Sequence, residues 1–391
     1  MEMDMDEHRL WSMGYFLEQE KAWFIDFHTN DLYVWNLESG RLSWIVRFPF
    51  EESSFKSHPT CVKWKNDIFA FPDIGEDVWV YHMESKEFSK ISIGKRRAKR
   101  YESRSPMIQG DDIWFPVCGR FGLFEPQILH VNARTHQYGW SGSIMEGGLC
   151  IETVYKEGYI YMASSQDHII YVFDTGRNQC GFYNIDELDG GIETVCDAGR
   201  ELWLSDRTGK IVCWDTVLRH TTRTDILPFS SALGCKQKID GPFLQSRYVN
   251  GWVCYIPAYA NPLRLQDVIM FEESSLSFKA MPFISSKDVD GNYILTQFVT
   301  NDGKIGIWTE KGNSILLLDT EQGHSAEKKQ LLSKKDSNLL RIRSRSLRSE
   351  ETVEWDISCF LDMIKDKRLQ FGKKDVLEDR VGTEAYKTAC L

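Results

Sequence analysis

IETVYKEGYIYMASSQDHIIYVFDT, running from Ile151 to Thr175, returns 41 residues later as IETVCDAGRELWLSDRTGKIVCWDT, from Ile192 to Thr216. The two stretches align without a gap and share the opening IET, a serine (Ser164 and Ser205), an aliphatic run and the closing DT. Copies this similar and this close mark a repeat architecture, in which one supersecondary unit packs on copies of itself. Outward from this pair, an apolar strand ending in a polar residue recurs as YVWN at Asn36, VYH at His82, HVN at Asn132, VFD at Asp174, CWD at Asp215, MFE at Glu272 and LLD at Asp319. The other spacings are 46, 50, 42, 57 and 47 residues, room for four short strands and their turns.

Within each unit the second strand is apolar and aromatic, as in AWFIDF from Ala22, DIWFPV from Asp112, ELWLSD from Glu201 and WVCYIP from Trp252. Aromatic and β-branched residues bounded by Gly, Asn or Asp are strand signals. The dipeptides Asn30-Asp31, Thr208-Gly209 and Asp302-Gly303 are expected to turn the chain between second and third strands. Four-stranded units cannot bury both faces alone, so they are expected to pack side by side and close into a ring. The expected fold is all-β, a seven-bladed β-propeller with a short C-terminal helical extension.

NDLYVWNLESGRLSWIV from Asn30 and GKIVCWDTVLRHTTRTDIL from Gly209 resemble the turn, V-x-W-D strand and return strand of WD40-type β-propeller repeats. The resemblance covers residues 13 to 332, and in it Ser57-His58 ahead of CVKW stands nearest to the family's Gly-His dipeptide. Repeats of Kelch-like or quinoprotein-like type fit the same pattern. A propeller implies an architecture and not a function, because function lives in sites grafted on folds.

The reading divides the chain into a propeller at 1–332 and a Ser/Arg linker with an amphipathic helical tail at 333–391. The units lie near 13–60, 61–106, 107–150, 151–191, 192–235, 236–283 and 284–332. Thirteen Trp, 15 Tyr and 22 Phe supply enough large rings for the layers between units. In the tail, Val353, Ile357, Phe360, Leu361 and Ile364 fall on one face of a helix. That helix either caps the propeller or presents Trp355 and Phe360 to a partner.

MEMDMDEH at the N-terminus lacks the order of a signal peptide, and no apolar run reaches the length of a membrane span. Ten cysteines occur without C-x-x-C or zinc spacing, as expected for reduced thiols in a cytoplasmic protein. A net charge of −10 argues against a nucleic-acid partner. Two basic runs depart from that balance: GKRRAKRYESR at 94–104, with Arg96, Arg97 and Arg100, and RIRSRSLR at 341–348. Either they are solvated loops or they form a patch facing a partner or an anion.

The sequence contains no G-x-S-x-G, P-loop, G-x-G-x-x-G or H-E-x-x-H motif, and it names no cofactor and no metal. In a propeller the first strand of each unit lines the central channel. Residues near its start, Glu152, Glu193, Gln245 and Gln297, are therefore candidate ligand contacts at the channel mouth, with His58 and Arg104 from adjoining loops. Two converging carboxylates would suit a small polar ligand, or acid-base work if burial raised one pKa. The function expected is a non-enzymatic binding or assembly module that engages a protein or a small polar or anionic ligand. The alternative is a hydrolase or lyase with its site at the mouth.

Overall fold

Apolar side chains at successive positions of a strand point to opposite faces, so a continuous apolar run fits a sheet buried on both sides. The computed structural model bears this out over residues 12, 14–26, 29–49, 58, 60–72, 75–94, 106–117, 127–141, 150–164, 167–206, 208–227, 244–257, 267–275, 277–282, 294–299, 303–309, 314–320 and 327–330, which are the residues described. All fall within the compact unit Met1–Ser344. They form seven antiparallel four-stranded sheets, each made of four successive strands in sequence order. The sheets span 15–47, 60–92, 107–140, 150–184, 192–226, 244–282 and 294–330. Among the described residues there is no helix, and so none long and apolar enough to cross a membrane.

Each sheet shares a buried cluster with the next. In the first sheet Trp23, Ile25 and Leu32 face Cys61, Ile68 and Tyr81 of the second. The opposite side of the second sheet packs on the third, with the rings of Phe71 and Phe115 stacked at 4.6 Å. Trp114 and Ile128 meet Ile160, Met162 and Phe173 of the fourth sheet, whose Tyr161 and Val172 meet Leu202 and Trp214 of the fifth. Trp203 and Cys213 then meet Tyr255 and Phe271 of the sixth, and Cys254 and Val268 meet Ile305 and Leu318 of the seventh. Leu317 of the seventh sheet lies in the cluster of Phe24, Tyr33 and Trp35 of the first. Neighbouring residues of one strand thus serve two different junctions, as Trp23 and Phe24 do. Burial of such side chains contributes about 1.5 to 3 kcal/mol each.

The turns follow the sequence with one exception. Asn30 at φ 57° and Gly209 at φ 86° turn between second and third strands. Gly303 at φ 76° instead joins the first and second strands of its sheet, Ile294–Val299 and Lys304–Thr309. Both hairpins require a residue in the left-handed region, so the dipeptide alone does not say which one it makes.

The C-terminal helix, the run at 95–104, the run at 341–348, and with them Arg96, Arg97, Arg100, Arg104, Trp355 and Phe360, lie outside the described residues.

Candidate functional site

The recurrent polar residue at the end of each third strand is largely a turn device. Asn36 Oδ1 accepts from Ser39 N at 2.6 Å, Asn132 Oδ1 from Thr135 N at 3.0 Å, Asp174 Oδ1 from Gly176 N and Arg177 N at 3.0 Å, and Asp215 Oδ1 from Val217 N and Leu218 N at 2.8 and 2.7 Å. Four residues beyond the marker the chain enters the left-handed region, at Gly40, Lys86, His136, Asn178 and Arg219. At Asn36, Asn132, Asp174 and Asp215 a short side-chain acceptor thus holds one or two of the amides that follow and supports the turn. His82 works differently: its Nδ1 lies 2.8 Å from Asp67 and its Nε2 2.8 Å from Ser89, tying the second and fourth strands of its sheet to the third.

His58 is fully buried, where it joins two sheets. Its backbone N donates to Asn30 Oδ1 at 2.8 Å, its Nδ1 lies 3.3 Å from Asn30 Nδ2, and its Nε2 lies 3.1 Å from the Asp77 carbonyl. The ring is therefore committed to holding the first sheet on the second. Glu193 is 4% exposed and occupies a bulge, because Ile192 pairs with Asp206 while Thr194 pairs with Ser205. The sister strand Cys150–Lys156 shifts register between Cys150 and Thr153, which places Glu152 in the equivalent bulge. Of Glu152, Gln245 and Gln297 the structure describes the strand backbone alone.

A charged cleft of about 550 Å³ opens between the fifth and sixth sheets, lined by Arg200, Glu201, Asp215, Arg223, Glu273 and Ser274. Its wall is cross-braced. Arg200 Nε donates to Asp215 Oδ2 at 2.6 Å, Arg223 pairs with Glu201 and donates to the Glu273 carbonyl at 2.6 Å, and Thr222 Oγ1 donates to Glu201 at 2.6 Å. Tyr248 donates its hydroxyl to Glu273 at 2.5 Å, and that bond to a carboxylate raises the phenol to about 12. The amides of Leu218 and Val217, with Arg200, hold the Asp215 carboxyl below its usual range. Beneath the cleft Arg223 lies over the buried Trp203 ring at 5.5 Å.

Beside this cleft the turn after Asp215 carries Val217 and Leu218, 66% and 58% exposed. In the sister repeat the aligned residues are Gly176 and Arg177, on a turn with the same pair of amide bonds to Asp174. The turn thus has no need of the apolar pair. Glu201, paired with Asp215, stands in the sheet where the preceding repeat has Tyr159, paired with Asp174. The departure at 217–218, just beyond an aligned pair of repeats, was the sequence signal for the site.

No protein-family model matches the sequence. The chain is 29% identical over 86 residues to WD repeat and FYVE domain-containing protein 2 of Caenorhabditis briggsae, a stretch covering 22% of this chain and 20% of that protein. The Caenorhabditis elegans protein of the same name is 28% identical over 86 residues, with the same coverage. The match spans about a fifth of the length of these curated relatives. Among solved structures, the computationally designed Ika8 protein superposes with TM-score 0.56 at 10% identity, over 84% of this chain and 89% of its own. A chain of the mitotic checkpoint complex gives TM-score 0.52 at 12% identity, over 84% and 88%. Virginiamycin B lyase from Staphylococcus aureus gives 0.55 at 11% identity, over 78% and 93%. Identities this low speak to the fold alone. Repeated four-stranded sheets, structural neighbours with propeller folds and a partial WD-repeat likeness fit a WD40-like β-propeller architecture.

Proposed function

We propose that the seven sheets are the blades of one closed ring and that the ring serves as a non-enzymatic interaction scaffold, receiving a protein partner at the turn-bearing end of the fifth and sixth sheets. Leu317 packed with Trp35 supports closure. The observation that carries the contact is the exposed Val217-Leu218 pair, on a turn that the sister repeat makes with Gly176-Arg177. Apolar side chains on a rigid turn beside braced charges have the make-up of an interface, an apolar centre with a polar rim.

The test exchanges Val217→Gly and Leu218→Arg together, which restores the sister turn. Affinity capture with the full chain, read by quantitative mass spectrometry, is expected to lose its stoichiometric partners in this variant with no change in melting temperature. Unchanged capture would remove the contact from this turn.

A second reading has its own observation, the matching bulges that carry Glu152 and Glu193. Bulges re-aim a side chain and gather next to binding sites. In this reading the two carboxylates take a small polar ligand at the mouth of the ring. Glu193→Gln is then expected to abolish a ligand-induced thermal shift that the Val217/Leu218 double variant retains.

A further inference from the structure

We propose that the outer strand of the fourth sheet, Gln179–Asn184, is a self-association edge through which two copies of the chain pair as antiparallel strands. An outer strand presents unpaired amides and carbonyls, and proteins guard such edges with charge, proline, shortness or bulges. The other outer strands here are guarded. Leu42–Arg47 is bulged and ends in Arg47, bound to Asp31 at 2.8 Å. Glu87–Ser92 carries Glu87 and Lys90, and His220–Ile226 carries Arg223 and Asp225 and is bulged. Phe278–Pro282 carries Lys279 and Pro282, Glu327–Gln330 is mostly charged, and Tyr138–Trp140 has three residues.

QCGFYN at 179–184 has none of these guards. It pairs with its inner neighbour Ile169–Asp174 over six residues without a register shift. Every position but Tyr183 is exposed, and Phe182 is 64% exposed. The strand is held in place from one side: Tyr183 packs on Trp214 at 5.5 Å and is bound by Arg219 of the next sheet. It is therefore a regular, pre-formed, uncharged edge.

A second copy is the occupant that the strand's own composition selects. With no charge, the strand meets no repulsion from itself in an antiparallel pair. Only alternate residues turn their backbone groups outward, so the two-fold axis must pass through a residue pair. Centred on Phe182, the pair sets Gly181 of each copy opposite Tyr183 of the other. A Cβ at Gly181 would meet nothing within 4 Å, so nothing at the glycine blocks the approach of a second strand. The two Phe182 side chains meet on the other face. Six residues bury less than the roughly 800 Å² per partner of a stable interface, so the dimer is weak. Because each copy carries a net charge of −10, salt should strengthen the association, where an ion-paired interface would weaken.

Sedimentation velocity of the full chain from about 1 to about 200 µM, at low and high salt, tests this. A dimer that grows with concentration and with salt is expected, weakened about tenfold or more by Phe182→Lys and equally by Cys180→Lys, with Phe278→Lys on the sixth sheet as the unaffected control. In a Cys180→Ser background, Phe182→Cys should form a disulfide-linked dimer on oxidation. A chain that stays monomeric at the highest concentration and salt overturns the proposal, as does a dimer indifferent to both lysines. If either lysine variant melts early, the disulfide result decides alone, and its absence counts against the edge.

Discussion

Leu317, in the third strand of the seventh sheet, is packed in one buried cluster with Trp35, in the third strand of the first. Among the described residues each sheet is built of four successive strands and none is borrowed across this junction. Leu317→Ala should cost about 2 to 5 kcal/mol through the cavity it leaves. Leu218→Ala, at 58% exposure, should stay within about 0.5 kcal/mol. Urea titration of the two variants decides the matter: equal midpoints would mean that Leu317 supports no junction.

Asp215 links a turn to the charged cleft, and its carboxyl is held below the ordinary range, first by the Leu218 amide. A carboxylate whose folded pKa is depressed adds stability that is full above its unfolded value and is lost as pH falls through the folded one. Stability should therefore decline below about pH 4, and Asp215→Asn should lower stability at pH 7 while flattening that acid decline. Melting temperatures from pH 7 down to pH 3 provide the check.

For His58 the expectation is structural. His58→Ala keeps the backbone bond to Asn30 Oδ1 but removes the ring from Asn30 Nδ2 and from the buried Asp77 carbonyl, at a cost of about 1 to 3 kcal/mol. A ligand-binding histidine at an open mouth would instead tolerate alanine with little loss. Thermal unfolding of the unliganded chain separates the two.

Gly251, at φ 78°, has open space around its missing side chain, and so does Gly139, which is outside the left-handed region. Gly251→Ala should then cost about 1 to 2 kcal/mol from backbone strain alone. Gly139→Ala should be near neutral, and matching losses in the two would show that strain is not the cause.

How far the chain can be read without coordinates depends on the kind of signal. The strands were legible because both faces are buried and the apolar runs are continuous, as at AWFI and YIYM. The marker residues were visible as a rhythm, yet their purpose was hidden. Lys86 and Arg219 take the left-handed conformation without being glycine, so the turn leaves no glycine to find. His58 looked available because a sequence shows neither Asn30 nor the Asp77 carbonyl beside it. The cleft was hidden for another reason: it joins Arg200 and Arg223 to Glu273 of the following sheet, residues that no local spacing connects.

Because every sheet is assembled from consecutive strands, nearly all hydrogen-bonded pairing closes only short loops, whose entropic cost is small. The junction of Leu317 with Phe24 is the opposite case, a contact between the two ends of the described chain. Low contact order favours sheets that fold one after another as local hairpins, with docking of neighbours along the chain. On that basis the contact between the last sheet and the first should form last in folding and open first on unfolding.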